Sequence, residues 1–310
     1  MNIVCIEPLG ISREHFESLK AHYAALNHNF SYYMDRREDE AAIVERMGDA
    51  DIAIVSNIKI PSTVLSRCHQ LKYISVAFTG LDHIDLAYCK EHHIEVQNAA
   101  GYSTTAVSEL AVGMMIDVLR KVSEMNVAIR QGQGRGGFLG RELYGKTVGV
   151  VGTGAIGTAT IRLLKAFGCR VLAYSWSMRP EVASMGVEYV TLEALLQQSD
   201  IVTLHVPLTD QTRGLIGSRE LSMMKPTAML VNTARGPVCD IAAVAEALNQ
   251  GRIAGAAFDV FEQEPPLATD HPLINAKNCV LTPHVAFATE ESFATRADIV
   301  FEHVDQYLGR

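Results

Sequence analysis

The chain has 310 residues, 48% of them hydrophobic and 20% charged, with a formal net charge of −8. A chain of this size is expected to bury a substantial core and to divide into two domains, and its acidic balance argues against general nucleic-acid binding, which needs clustered Lys and Arg to neutralise phosphates. No apolar run reaches the roughly 18 residues of a membrane span and the N-terminus lacks the basic-then-apolar layout of a secretory leader, so a cytoplasmic location is expected.

In chain order, short apolar runs predict strands over 2–6, 52–55, 73–76 and 94–96, with helical periodicity over 16–22, 40–47 and 86–91. A long helical stretch follows over 105–130, then a glycine-rich turn over 132–140. Met114, Met115 and Met125 in that stretch read as core, and the stretch itself as a link between domains that also supplies a dimer face. A second series of strands is predicted over 148–151, 171–174, 201–205, 229–232, 254–258 and 279–282. Strands alternating with helices indicate parallel sheets. The six cysteines, at positions 5, 68, 89, 169, 239 and 279, show no CxxC spacing and read as reduced, packed thiols, Cys239 near Arg235 included. His92 and His93 are adjacent, not at metal-ligand spacing, and no His, Cys or carboxylate cluster suggests a metal.

The segment KTVGVV, 146–151, reads as a buried strand that runs into GTGAIG and then a helical pattern continuing through Leu164 until Gly168 can cap it. Strand, glycine loop and helix together indicate dinucleotide binding. Gly152 makes the tight turn, Gly154 admits a pyrophosphate to the main chain, and Gly157 permits close helix-to-strand packing, while Ala155 and Ile156 begin a helix whose free N–H groups face phosphate. Three charged residues follow short apolar runs further on: Arg235 in LVNTARGP, Glu264 in DVFEQEPP and His284 in CVLTPHVAFAT. Singly, each has a bland account, as an ion-pair partner, a solvated turn residue or a satisfied strand-end histidine. Together their chemistry is complementary, and ligands bind at the carboxyl ends of parallel strands.

The ordered set GTGAIG, VNTARG, DVFEQEP and TPH resembles the D-isomer-specific 2-hydroxyacid dehydrogenase family over nearly the whole chain. The resemblance implies an α/β protein of two Rossmann-like doubly wound parallel-sheet domains. A dinucleotide-binding domain, 100–285, is inserted into a substrate domain formed by 1–99 and 286–310, and homodimers form through the cofactor domains. It also implies an oxidoreductase passing a hydride between a nicotinamide cofactor and a D-2-hydroxy acid or 2-oxo acid. His284 is then the acid/base, Glu264 its orienting carboxylate, and Arg235 the ligand of the substrate carboxylate. SVAFTGLDHIDL resembles the family loop whose main-chain N–H groups face the substrate, which points to Thr79 and Gly80; Phe78 stands where many relatives carry a small residue, narrowing the pocket or favouring an apolar tail. Phe287 stands where some hydroxypyruvate reductases have tryptophan. Asp259 is implied to hold the nicotinamide carboxamide. Thr104 lies near phosphates or nicotinamide, His205 and Pro207 line the adenine pocket, and Thr233 completes the cofactor set.

Two departures matter. Ala100 replaces a proline common in its motif, and RVLAY runs into Ser175, Trp176, Ser177, Met178 and Arg179, where NAD-specific relatives present a carboxylate to the ribose. Arg179 can pair with a 2′-phosphate, while Ser175 can bond a ribose hydroxyl; NAD(H) is the first choice and NADP(H) stays open. Substrates considered are glyoxylate, hydroxypyruvate and larger 2-oxo acids. The alternatives are a nicotinamide-sensing, corepressor-like binding protein and a phosphite dehydrogenase; formate is disfavoured by Glu264, since formate enzymes pair their histidine with glutamine.

Overall fold

A computed structural model describes residues 1–263 and 266–309. The chain forms two compact units. Unit 1 comprises Met1–Ser103 and Ala288–Arg310, and unit 2 is the continuous segment Thr104–Phe287.

Unit 1 runs β1 (Asn2–Cys5), α1 (Arg13–Ala25), β2 (Asn29–Tyr32), α2 (Glu40–Met47), β3 (Ile52–Val55), α3 (Ser62–Leu65), β4 (Tyr73–Val76), α4 (Leu86–Glu91) and β5 (Glu95–Asn98). The five strands are parallel in the order β2-β1-β3-β4-β5. Strands β3 and β4 are buried at every position, as a parallel sheet covered on both faces requires. Ser12, Asp39 and Asp85 start α1, α2 and α4 by accepting the N–H groups of His15, Ala42 and Tyr88.

Unit 2 runs α5 (Thr104–Arg120), α6 (Val122–Arg130), β6 (Thr147–Val151), α7 (Ala155–Ala166), β7 (Arg170–Tyr174), α8 (Pro180–Ala183), β8 (Glu188–Tyr189), α9 (Leu192–Gln198), β9 (Ile201–Leu204), α10 (Ser218–Met223), β10 (Met229–Asn232), α11 (Ile241–Asn249), β11 (Gly255–Phe258) and β12 (Cys279–Leu281). Its seven strands are parallel in the order β12-β11-β10-β9-β6-β7-β8, with an apolar core on each face. After Phe287 the chain returns to unit 1 with α12 (Glu290–Leu308), which packs on β4.

The continuous helix expected over 105–130 is broken. Lys121 takes a left-handed conformation, φ 50°, and the Asp117 carboxylate, on the last turns of α5, accepts the N–H (2.8 Å) and hydroxyl of Ser123. The first turn of α6 is thereby capped from six residues upstream, which ends one helix and starts another. Strands β2 and β8 escaped the apolar-run reading because each carries polar or exposed residues at a sheet edge. The strand expected over 94–96 lies at Glu95–Asn98.

Candidate active site

In unit 2 the strands are in register at their carboxyl ends. Tyr174 on β7 pairs with Val151 on β6, Val151 with Leu204 on β9, Leu204 with Asn232 on β10, Asn232 with Phe258 on β11, and Phe258 with Leu281 on β12. The next residues, Ser175, Gly152, His205, Thr233, Asp259 and Thr282, therefore emerge in a single row along one sheet edge. The chain leaves β6 toward β7 on one side and later adds β9 on the other, so the sheet's switch point falls between β6 and β9, where a parallel sheet opens a ligand crevice.

The glycine loop sits at that point. Gly152 is left-handed, φ 96°, and a Cβ there would lie 2.5 Å from the His205 carbonyl oxygen; a Cβ on Gly157 would lie 2.0 Å from the Gly152 carbonyl oxygen. Both positions require glycine. Gly154 has nothing within 4 Å of its Cβ position, so space opens above it at the N-terminus of α7, which no side chain caps. Ala155 and Ile156 begin that helix and leave its first donors available for an anion.

His205 is held beneath the loop, with Nε2 3.0 Å from the Thr203 hydroxyl, and burial pushes its imidazole pKa down to about 4, so it is neutral. Pro207 continues the turn, its carbonyl accepting from the Thr212 hydroxyl at 2.6 Å. Thr233 is buried, and its hydroxyl has no hydrogen-bond partner among the described residues. A buried hydroxyl is costly to leave unpaired, and a polar ligand at the sheet edge accounts for it. These features fit a dinucleotide.

Ser175 is half-buried, while Trp176, Ser177, Met178 and Arg179 are exposed. The Arg179 N–H donates to the Tyr189 hydroxyl, which donates to the Thr153 hydroxyl, each at 3.1 Å, tying this turn to the glycine loop. The Arg179 guanidinium lies 3.4 Å from the Glu181 carboxylate. Thr104 opens α5, half-buried.

Arg235, Glu264 and His284 follow β10, β11 and β12, three adjacent strands. The turn that presents Arg235 is built on Asn232, fully buried, whose amide donates to the Arg235 carbonyl (2.9 Å) while its carbonyl accepts the Ala234 N–H (3.0 Å). A Cβ on Gly236 would lie 2.0 Å from the Phe261 carbonyl carbon, so only glycine lets this turn meet the segment after β11. Glu264 lies outside the described residues.

His284 is half-buried and left-handed, φ 54°, a conformation that strains a residue with a Cβ. Asp259 holds it there. The Asp259 carbonyl accepts the His284 N–H (2.8 Å), Oδ1 accepts the Thr282 hydroxyl (2.6 Å) and Val285 N–H (2.8 Å), and Oδ2 accepts the Ala286 N–H (2.9 Å). Burial raises the Asp259 carboxyl pKa, opposed by those hydrogen bonds and the nearby imidazole of His284. The imidazole meets the Phe287 ring edge-on at 5.4 Å. Asn232 and Thr282 were missed in the sequence as site-building residues; the available signal was a polar residue closing each of the apolar runs MLVN and CVLT.

Unit 1 presents its own row beyond β1, β3, β4 and β5. Phe78 is 5% exposed, its ring packed with those of His83 and Tyr102, so its side chain is spent in the unit's own core. Thr79 is exposed and Gly80 half-buried. The Phe78 carbonyl accepts the Ala99 N–H (3.2 Å) and the Thr79 carbonyl accepts the Asn98 amide, whereas the N–H groups of Thr79 and Gly80 make no hydrogen bond among the described residues.

A model of the NAD binding domain of D-isomer specific 2-hydroxyacid dehydrogenases matches residues 112–286. The chain is 40% identical over 286 residues to a glyoxylate reductase of Korarchaeum cryptofilum, covering 88% of this chain and 86% of that protein. It is also 40% identical over 270 residues to a D-3-phosphoglycerate dehydrogenase of Methanocaldococcus jannaschii, covering 86% of this chain and about half, 51%, of that protein's length. Among solved structures, an acyclic imino acid reductase, Bsp5, in complex with NADPH and D-Arg superposes with a TM-score of 0.89 at 30% identity, covering 100% of this chain and 97% of that one. The chain belongs to the D-isomer specific 2-hydroxyacid dehydrogenase family. It is an oxidoreductase of the NAD(P)-dependent kind that interconverts 2-hydroxy and 2-oxo acids.

Proposed function

We propose that this enzyme reduces a small 2-oxo acid, glyoxylate or hydroxypyruvate, to the D-2-hydroxy acid. The observation that carries the reading is the single row of strand ends in unit 2, which aligns the glycine loop, the unpaired Thr233 hydroxyl and the turns bearing Arg235 and His284. Bound nicotinamide supplies the hydride. Gly152, Gly154, Ala155, Ile156 and Gly157 would hold the dinucleotide's pyrophosphate, Thr233 would exchange a hydrogen bond with the cofactor, and His205 and Pro207 would flank its adenosine.

His284 delivers the proton to the carbonyl oxygen, a role contributing about a hundred- to ten-thousandfold in rate. Glu264, outside the described residues, keeps the role the family resemblance implies for it, that of the orienting carboxylate for His284. In unit 2 Arg235 forks onto the substrate carboxylate, and in unit 1 the Thr79 and Gly80 N–H groups, without a hydrogen bond among the described residues, are donors suited to a carboxylate. Asp259 supports the His284 turn, with any contact to the carboxamide added to those it already makes.

NAD(H) is preferred and NADP(H) admitted. Ser175 and Ser177 can bond ribose hydroxyls, and Arg179, already paired with Glu181, is only partly available for a 2′-phosphate. The enzyme is a cytoplasmic homodimer through α6 and the loop after it, where Val122, Val127, Ile129 and Leu139 are all more than half exposed and α6 buries none of its residues in its own chain. A panel of 2-oxo acids, each assayed with NADH and with NADPH, tests the proposal. Highest kcat/KM is expected for glyoxylate or hydroxypyruvate with NADH; no turnover of any 2-oxo acid with either cofactor would refute it.

A further inference from the structure

Unit 1 buries an arginine that stability alone does not explain. Arg296 on α12 is 4% exposed, and its guanidinium donates to uncharged oxygens. Nε and Nη2 donate to the Leu9 carbonyl (3.2 and 2.9 Å), and Nη1 donates to the Ser56 hydroxyl (3.2 Å) and the Ala77 carbonyl (3.4 Å). The Phe293 ring lies 4.1 Å from its Cζ. Its nearby countercharge is Glu7, 1% exposed, whose Oε1 accepts the N–H groups of Ser56 (2.6 Å) and Ile58 (3.2 Å) and whose Oε2 accepts from Arg36 (2.7 Å). Burying such charges costs several kcal/mol per ion, and well-packed apolar residues often serve stability as well or better.

Position supplies the reason. Leu9, Ser56 and Ala77 follow β1, β3 and β4, the three central strands, at the sheet edge where ligands bind. Ala77 directly precedes Phe78, Thr79 and Gly80. Three consecutive carbonyls are tied down, Ala77 by Arg296, Phe78 by Ala99 and Thr79 by Asn98. The Phe78 and Thr79 carbonyls share peptide planes with the Thr79 and Gly80 N–H groups and so set where these point, while the Ala77 carbonyl, held by Arg296, fixes the Ala77–Phe78 peptide from which that run starts.

We propose that Arg296, with Glu7 as its countercharge, is a positioning residue that presets the Thr79 and Gly80 N–H groups for the substrate carboxylate, acting through the Ala77 carbonyl without touching the substrate. The proposal rests on the reading of this loop as a carboxylate site. Preorganisation of this kind lowers the ordering cost of binding and leaves the chemical step alone.

The test uses the full-length enzyme, Arg296→Lys, and the double variant Glu7→Gln/Arg296→Met, which removes both buried charges together while Arg36 keeps Glu38 as its partner. Measured are KM and kcat for glyoxylate, Ki for oxamate as a non-reacting carboxylate analogue, Kd for NADH, and melting temperature. Expected is a rise of about tenfold in both KM and Ki, with kcat within about threefold and NADH affinity unchanged. The double variant should show this rise even when its melting temperature matches the parent, a split that a purely structural role does not produce. Folded variants with parental KM and Ki overturn the proposal alone. A parent enzyme that neither reduces 2-oxo acids nor binds oxamate overturns the carboxylate reading, and this proposal with it.

Discussion

Exchanging Asp259 for asparagine isolates one contribution to the His284 turn. If the amide oxygen takes the place of Oδ1, it still accepts from Thr282 and Val285, but the NH2 group then replaces Oδ2 and faces the Ala286 N–H at 2.9 Å, donor against donor. Losing a hydrogen bond to a charged group costs about 1.5–3 kcal/mol. The turn has a ready way to relax, because the left-handed backbone at His284 is itself strained by roughly 1–2 kcal/mol. If the whole cost is met by the turn leaving its native geometry, the population with the imidazole in place falls about ten- to a hundredfold, and kcat falls with it. Steady-state turnover of glyoxylate at saturating NADH measures the loss, with circular dichroism as the control for folding. A folded Asp259→Asn enzyme whose kcat stays within about twofold of the parent would refute the argument that this carboxylate holds the acid/base in place.

His284→Ala is expected to lower kcat by about a hundredfold or more while NADH binding, read by fluorescence titration, stays nearly intact. Gly154→Ala should leave the melting temperature unchanged and weaken NADH, because its Cβ enters open space that the pyrophosphate would fill, whereas Gly157→Ala should destabilise the fold, because its Cβ meets the Gly152 carbonyl. Equal effects of the two substitutions would count against the loop's assignment. His205, with its native pKa lowered to about 4 by burial, stabilises the fold fully above its unfolded value of about 6.5 and loses that contribution as pH falls through the window between them. Urea unfolding should therefore show about 2 kcal/mol lost between pH 7.5 and 5, flattened in His205→Gln; an identical slope in both proteins would remove the explanation.

Much of unit 2 was legible because its strands are short, continuous apolar runs, each followed by a residue whose chemistry does not belong in a core. The strand-end positions of Gly152, Thr233 and Asp259 could be read that way, whereas cofactor roles for Thr233 and Asp259 came from the family resemblance. Features set by contacts distant in sequence were harder to read. The break at Lys121 depends on Asp117 reaching Ser123, and nothing in the local periodicity of residues 105–130 marks it. Strand β2 exists because β1 offers an edge to NFSY, a segment with little strand character of its own. The support of the His284 turn by Asp259 spans the gap between β11 and β12, so the residue was visible while its hydrogen bonds to Thr282, Val285 and Ala286 were not. Arg296 lies far along the chain from Leu9 and Ala77, with no spacing rule to connect them.

The common register of six strands has a consequence for how this scaffold can vary. Adding or deleting one residue inside β6, β9, β10, β11 or β12 would shift its outgoing turn by about one pleat, ~3.3 Å, and flip the side chains beyond the change to the opposite face. Changes in length are thus confined to the connections beyond the Gly157, Arg235 and His284 turns and to those at the far edge. Descendants of this chain can diversify their loops freely while the spacing among imidazole, guanidinium and phosphate cradle is inherited intact.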